Sequence, residues 1–82
     1  MINNEGLLSR ITVNPKVMVG KPTIRGMRIT VEQILRALAA GIPERELLDE
    51  YPELEQKDIQ AVLVYAAELV SEEQVFPIGV SA

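Results

Sequence analysis

The sequence predicts an all-α domain: a three-helix bundle of helix-turn-helix type with a short N-terminal β-ribbon or arm. Three observations predict it. At 82 residues the chain is long enough for one small domain. Its apolar residues fall into three helical stretches beyond residue 30. Before residue 30 the β-prone runs are only two or three residues long, too short for an independent sheet. The expected organisation is an arm over 1–10, a helix-turn-helix-like domain over 11–73 and a tail over 74–82. Segment 11–29 of that domain reads as a basic β-turn region.

In chain order, residues 1–9 are polar and loosely patterned. Ile11-Thr12-Val13 is β-rich, and Asn14-Pro15 signals a turn. Val17-Met18-Val19 is a second β-prone run closed by Gly20, and Ile24 with Met27-Arg28-Ile29 adds a third extended piece. Such runs should lie as a small ribbon over helices or pair across a dimer.

The first helix has the clearest start. Thr30 and Gln33 have the spacing of a capping box, in which each side chain satisfies a free backbone N–H near the other. Val31, Ile34, Leu35 and Leu38 then follow one buried stripe, and Gly41 is a left-handed stop. Pro43 suits the first turn of a second helix, with Glu44 and Glu46 near its positive end and Pro52 beyond it. The third helix should run from about Gln56 to Glu72. Ile59, Val62, Leu63, Ala66 and Val70 form one stripe, and Ala61, Val64, Tyr65 and Leu69 form another. Apolar on two faces, this helix has more to bury than a small core covers. It is therefore read as shared between two copies, with Ala61, Val64, Tyr65 and Leu69 at a dimer interface. The tail Val75-Phe76-Pro77-Ile78-Gly79-Val80 is apolar but broken by proline and glycine. Folding back and adding to a partner are both open for it.

Composition narrows the function. There is no cysteine, histidine or tryptophan, so disulfides and thiolate metal sites are excluded and the usual base for neutral pH is missing. No metal or cofactor is expected. No apolar run reaches membrane-spanning length and the N-terminus lacks a signal-peptide layout, which together predict a cytoplasmic protein without membrane contact. Net charge is −4, unevenly placed. Residues 1–31 carry Arg10, Lys16, Lys21, Arg25 and Arg28 against Glu5 alone, whereas eleven of the twelve carboxylates follow. That split suits a basic arm on nucleic acid, or an arm packed on its own acidic helices.

The densest cluster is Gly20-Lys21-Pro22-Thr23-Ile24-Arg25-Gly26-Met27-Arg28-Ile29. Its glycines permit positive φ and Pro22 restricts the backbone, so Lys21, Arg25 and Arg28 stand on a shaped turn. They are candidate contacts to phosphate or to an acidic partner. The structural alternative is a turn whose arginines pair with helix carboxylates. Gly20-Lys21 fails the phosphate-loop pattern, since Pro15 and Pro22 occupy positions that need glycine and a hydroxyl. Asp49, Glu50, Glu53, Glu55 and Asp58 read as a solvated acidic face, there being no histidine or apolar pocket to tune them. No nucleophile sits in a recognised motif, so the chain is read as a non-enzyme. In a helix-turn-helix arrangement the third helix would offer Gln56, Lys57 and Gln60 to DNA, secondary to the basic arm.

The run from Ile11 to Ala67 resembles the domain-of-unknown-function 433 family. The matching residues are Ile11, Asn14-Pro15, Gly20-Lys21-Pro22, Ile24-Arg25-Gly26, Arg28-Ile29, Val31, Gly41, Tyr51-Pro52-Leu54, Asp58-Ile59 and Tyr65-Ala66. They cover about two-thirds of the chain in collinear order. The resemblance implies a homeodomain-like three-helix fold with a short β element. It also implies an antitoxin-like role: blocking a PIN-type ribonuclease toxin and, with it, repressing the operon through operator DNA. Met27, Pro43 and Glu55 depart from the pattern, which favours hydroxyl residues there. The rival expectation is a structural protein-interaction module that binds no nucleic acid.

Overall fold

The computed structural model describes residues 5–72. The all-α expectation does not hold. The fold is mixed: helices α1 (Glu5–Leu8), α2 (Val31–Ala39), α3 (Glu44–Glu50) and α4 (Gln56–Glu72) accompany a two-stranded antiparallel sheet of β1 (Ile11–Thr12) and β2 (Thr23–Ile24). Local pairing is what makes the sheet viable at this length. Ile11 lies opposite Ile24 and Thr12 opposite Thr23, and the two threonine hydroxyls meet at 3.1 Å. Thr12 Oγ1 also accepts the Gly26 N–H at 2.8 Å, tying the ribbon to the turn beyond β2. Ile24 is wholly buried, so the helices cover one face of the ribbon.

The expected arm over 1–10 contains a further element, since α1 is a single helical turn packed on α4. Val17-Met18-Val19 is not extended but enters a 3-10 turn over Met18–Gly20. The tail over 74–82 lies outside the described residues.

The three expected helices form where the local signals put them. Thr30 Oγ1 accepts from Gln33 N–H at 3.0 Å, while Gln33 Oε1 accepts from Thr30 N–H at 2.9 Å. The Pro22 carbonyl takes the Val31 N–H at 3.0 Å, supplying a partner for another orphan donor of the first turn. At the far end Gly41, with φ 89°, donates to Leu38 and Ile42 donates to Ala37, closing a Schellman motif. Pro43 sits just outside α3 as its N-cap, where its carbonyl accepts from Glu46 and Leu47.

The core is Ile24, Ile29, Val31, Ile34, Leu47, Leu54, Ile59 and Val62. It draws on the hairpin, on all three longer helices and on the α3–α4 loop. Burial on α4 divides the two expected stripes differently. Ala61 is fully enclosed by its own chain and leaves no surface for a dimer contact. Leu63 and Val70, expected inside, are 49% and 66% exposed. Val64 and Tyr65 are half-buried and Leu69 is exposed. No described helix is long and apolar enough to cross a membrane.

Candidate binding cleft

The turns between Asn14 and Thr30 shape the site. Asn14 starts them: its side-chain oxygen accepts from Lys16 N–H at 2.9 Å and its carbonyl from Val17 N–H at 2.8 Å. The chain then reverses through Met18–Gly20 and runs into β2. Arg25 and Gly26 both have positive φ, 47° and 75°, which folds Met27 N–H back onto the Ile24 carbonyl at 2.8 Å. Ile24 N–H meets the Ile29 carbonyl at 3.1 Å, and Thr23 bridges to Thr30. This tight hairpin delivers Arg28 to the surface immediately before the buried Ile29 and the cap of α2.

Between the two turns and α2 lies an open cleft of about 740 Å³. Lys16, Lys21, Arg28 and Arg36 line it, with Pro15, Met18 and Val19 as apolar wall. Glu32 is the carboxylate in the lining. It accepts from Lys21 Nζ at 3.1 Å and from Arg36 Nε at 2.9 Å. Arg36 and then Lys21 hold its carboxyl below the ordinary glutamate range. Arg28 is exposed, and among the described residues no carboxylate comes within ion-pair distance of it.

A second charge cluster stands apart from the cleft, at the start of α4. Asp58 is fully buried. Its oxygens accept from Arg25 Nε at 3.0 Å, Arg25 Nη2 at 2.8 Å, Arg10 Nη1 at 2.9 Å and Glu55 N–H at 2.8 Å. Burial pushes its carboxyl up, but the hydrogen bonds from Arg25, Glu55 N–H and Arg10 overcome that and hold it below the usual carboxylate range. Donating to carboxylates raises both arginines: Arg10 donates to Glu55 and to Asp58, and Arg25 donates to Asp58. Asp58 is also the third residue of α4 and caps the helix by reaching back to Glu55 N–H. Glu55, standing where a hydroxyl cap was expected, directs its own side chain to Arg10 at 2.8 Å.

The six expected contact residues therefore separate. Lys21 and Arg28 line the cleft. Arg25 is committed to Asp58 and to the Glu53 carbonyl at 2.7 Å. Gln56, Lys57 and Gln60 are exposed on the first turns of α4 and do not line the cleft. The expectation of a solvated acidic face fails at Asp58, which is the anchor of the ribbon. Lys16 and Arg36 belong to the cleft and had not been singled out. Lys16 was legible as part of the basic run, but nothing in the spacing of Arg36 relates it to Lys21. Among the described residues no carboxylate cluster has the makings of a metal site.

A small mixed domain, in which a β-ribbon and its turns are clamped to three helices and frame a cationic cleft, describes this class of molecule. The family model for the protein of unknown function DUF433 matches residues 11–66, and the chain belongs to that family. It is similar to the uncharacterized protein y4eO of Sinorhizobium fredii (strain NBRC 101917 / NGR234), with 30% identity over 56 residues. The match covers 68% of this chain and 25% of that protein, so the chain spans about a quarter of its relative's length. A crystal structure of a DUF433 member from Anabaena variabilis ATCC 29413 is similar with a TM-score of 0.73 and 31% identity. That similarity covers 83% of this chain and 67% of the other.

Proposed function

We propose that the chain is a small, non-catalytic binding module of antitoxin type that acts as a homodimer and grips an acidic macromolecular surface in its cleft. The observation carrying this reading is the convergence of Lys16, Lys21, Arg28 and Arg36 on one groove, with Arg28 left unpaired among the described residues. Cations gathered on one groove add their fields there, which draws an acidic surface to the cleft over the rest of this net-acidic chain. The family resemblance supplies two acidic surfaces, operator DNA and a PIN-type nuclease partner. The dimer rests on α4, along which Leu63, Leu69 and Val70 are exposed. Tyr65 and Leu69 line two further grooves, of about 340 and 330 Å³, where α4 meets α2 and where it meets α1 and β1. The non-catalytic reading rests on the missing nucleophile and base.

The test is co-expression of the full chain with its neighbouring reading frame and upstream DNA, followed by mass analysis of whatever co-purifies. A complex that forms with wild type and is lost in a Lys16→Ala, Arg28→Ala double variant supports the reading. Loss of neither partner nor DNA in that variant removes the cleft from the function. A second reading, a structural interaction module without nucleic-acid binding, draws support from the ion pairs of Arg10, Arg25, Lys21 and Arg36 with the chain's own carboxylates. Under it, added salt should lower stability while no DNA is retained.

A further inference from the structure

The turn Val17–Gly20 is wound in the disfavoured hand. Met18, Val19 and Gly20 have φ of 50°, 57° and 79°. Gly20 N–H closes on the Val17 carbonyl at 3.2 Å, and Lys21 N–H on that of Met18 at 3.1 Å. Glycine enters this region freely, whereas a β-branched residue there is a true outlier, because its Cβ crowds the following carbonyl. At Val19 the strain secures no burial in return. Val19 is 93% exposed, and the turn holds it up beside the cations of the cleft. Strained conformations that bury nothing tend to mark places where a group is presented for recognition.

Acidic polypeptide and nucleic acid are the two macromolecules whose charge suits the cleft, and three observations favour the polypeptide. Glu32 lies in the lining and already holds Lys21 and Arg36, so phosphate would face a carboxylate with no donor of its own to offer. A polypeptide brings N–H donors along with its carboxylates. Charge points the same way. Screening confines the cleft's field to about 8 Å at physiological salt, while a duplex carries a charge every 1.7 Å or so and extends well past it. Beyond the cleft DNA meets a chain of net charge −4, with eleven carboxylates in residues 32–82. The third observation is the apolar wall of Pro15, Met18 and Val19, which suits an apolar side chain better than a phosphate backbone.

We infer that the cleft docks an acidic segment of a protein partner, with carboxylates on Lys16, Lys21 and Arg28 and an apolar side chain against Val19. This names the partner class of the site proposed above and rests on that reading.

A random-peptide phage library panned on the immobilised full chain tests it, with the selected peptides and a duplex DNA then titrated side by side at physiological salt. Selected peptides should combine acidic residues with a large apolar one. Their affinity should fall about fivefold or more with Val19→Ser, the loss of one apolar contact, and again with Arg28→Ala. Val19 is exposed, so serine there leaves the core intact. Val19→Gly is the second variant: it relieves the turn, and binding must weaken although the fold does not. Peptide binding indifferent to both Val19 variants overturns the inference. So does duplex DNA that outcompetes every peptide, although its loss in Arg28→Ala would keep the cleft reading alive. Failure of both ligands to bind overturns the inference and the cleft reading together.

Discussion

Arg25 and Asp58, 33 residues apart in sequence, meet through two hydrogen bonds: Nε to Oδ1 at 3.0 Å and Nη2 to Oδ2 at 2.8 Å. The guanidinium and carboxylate engage edge to edge, a geometry that lysine cannot reproduce. Arg10 joins from the end of the α1 segment, so one carboxylate fastens the N-terminal third of the chain to the start of α4. The pair works as a structural clamp, and it engages the guanidinium of an arginine that the sequence offered as a contact residue, although that side chain stays exposed at 37%.

Asp58→Ala should therefore be the most damaging single change among the polar residues. It removes four hydrogen bonds and the cap of α4. The expected loss is about 3 kcal/mol, read as a lower urea midpoint. Asp58→Asn should cost less, because an amide oxygen can still accept from Glu55 N–H. A loss below about 1 kcal/mol in Asp58→Ala would mean the clamp is dispensable.

Acid should open the same clamp. The folded Asp58 carboxyl titrates below its unfolded value, so in that window the unfolded chain binds more protons and stability rises with pH. Asp58 thus contributes fully above the ordinary carboxylate value of about 4, and its contribution fades as pH falls through the lower, folded one. Thermal melts across this range should show a steep decline in wild type. A flatter decline is expected in Asp58→Asn, and parallel curves would refute the linkage.

Val19→Gly should stabilise the chain by about 0.5–1 kcal/mol. Relief of a left-handed, β-branched residue outweighs the extra freedom that glycine brings to the unfolded state. Denaturant melts of the purified variant are sufficient to measure it. A destabilised variant would show that Val19 makes a contact its exposure does not reveal.

On α4, Leu69→Glu should separate a dimer into monomers while leaving the melting temperature of the monomer nearly unchanged. Leu69 is 48% exposed and flanks grooves on both sides of the helix. Sedimentation velocity at several concentrations distinguishes the cases. Wild type that stays monomeric throughout would remove the dimer from the proposal.

Features that local chemistry controls were legible along the chain. Thr30 and Gln33 lie three apart, so the capping box and the start of α2 follow from spacing, and Gly41 ends that helix because left-handed backbone suits glycine. The bounds of α4 and the family pattern were legible for the same reason, as residues close in sequence or collinear along it. The rest came from packing between distant parts of the chain. The β-ribbon exists because Thr12 and Thr23 are brought face to face, and Asp58 is buried because Arg10 and Arg25 arrive from 48 and 33 residues away to offset its desolvation. Packing likewise turned Ala61 inward and Leu63 outward, a rotation that two apolar stripes on one helix leave open. The cleft is of this kind too. Lys16, Lys21, Arg28 and Arg36 become neighbours only once the turns and α2 are folded, and the energy of charges depends on distance in space, not on separation along the chain.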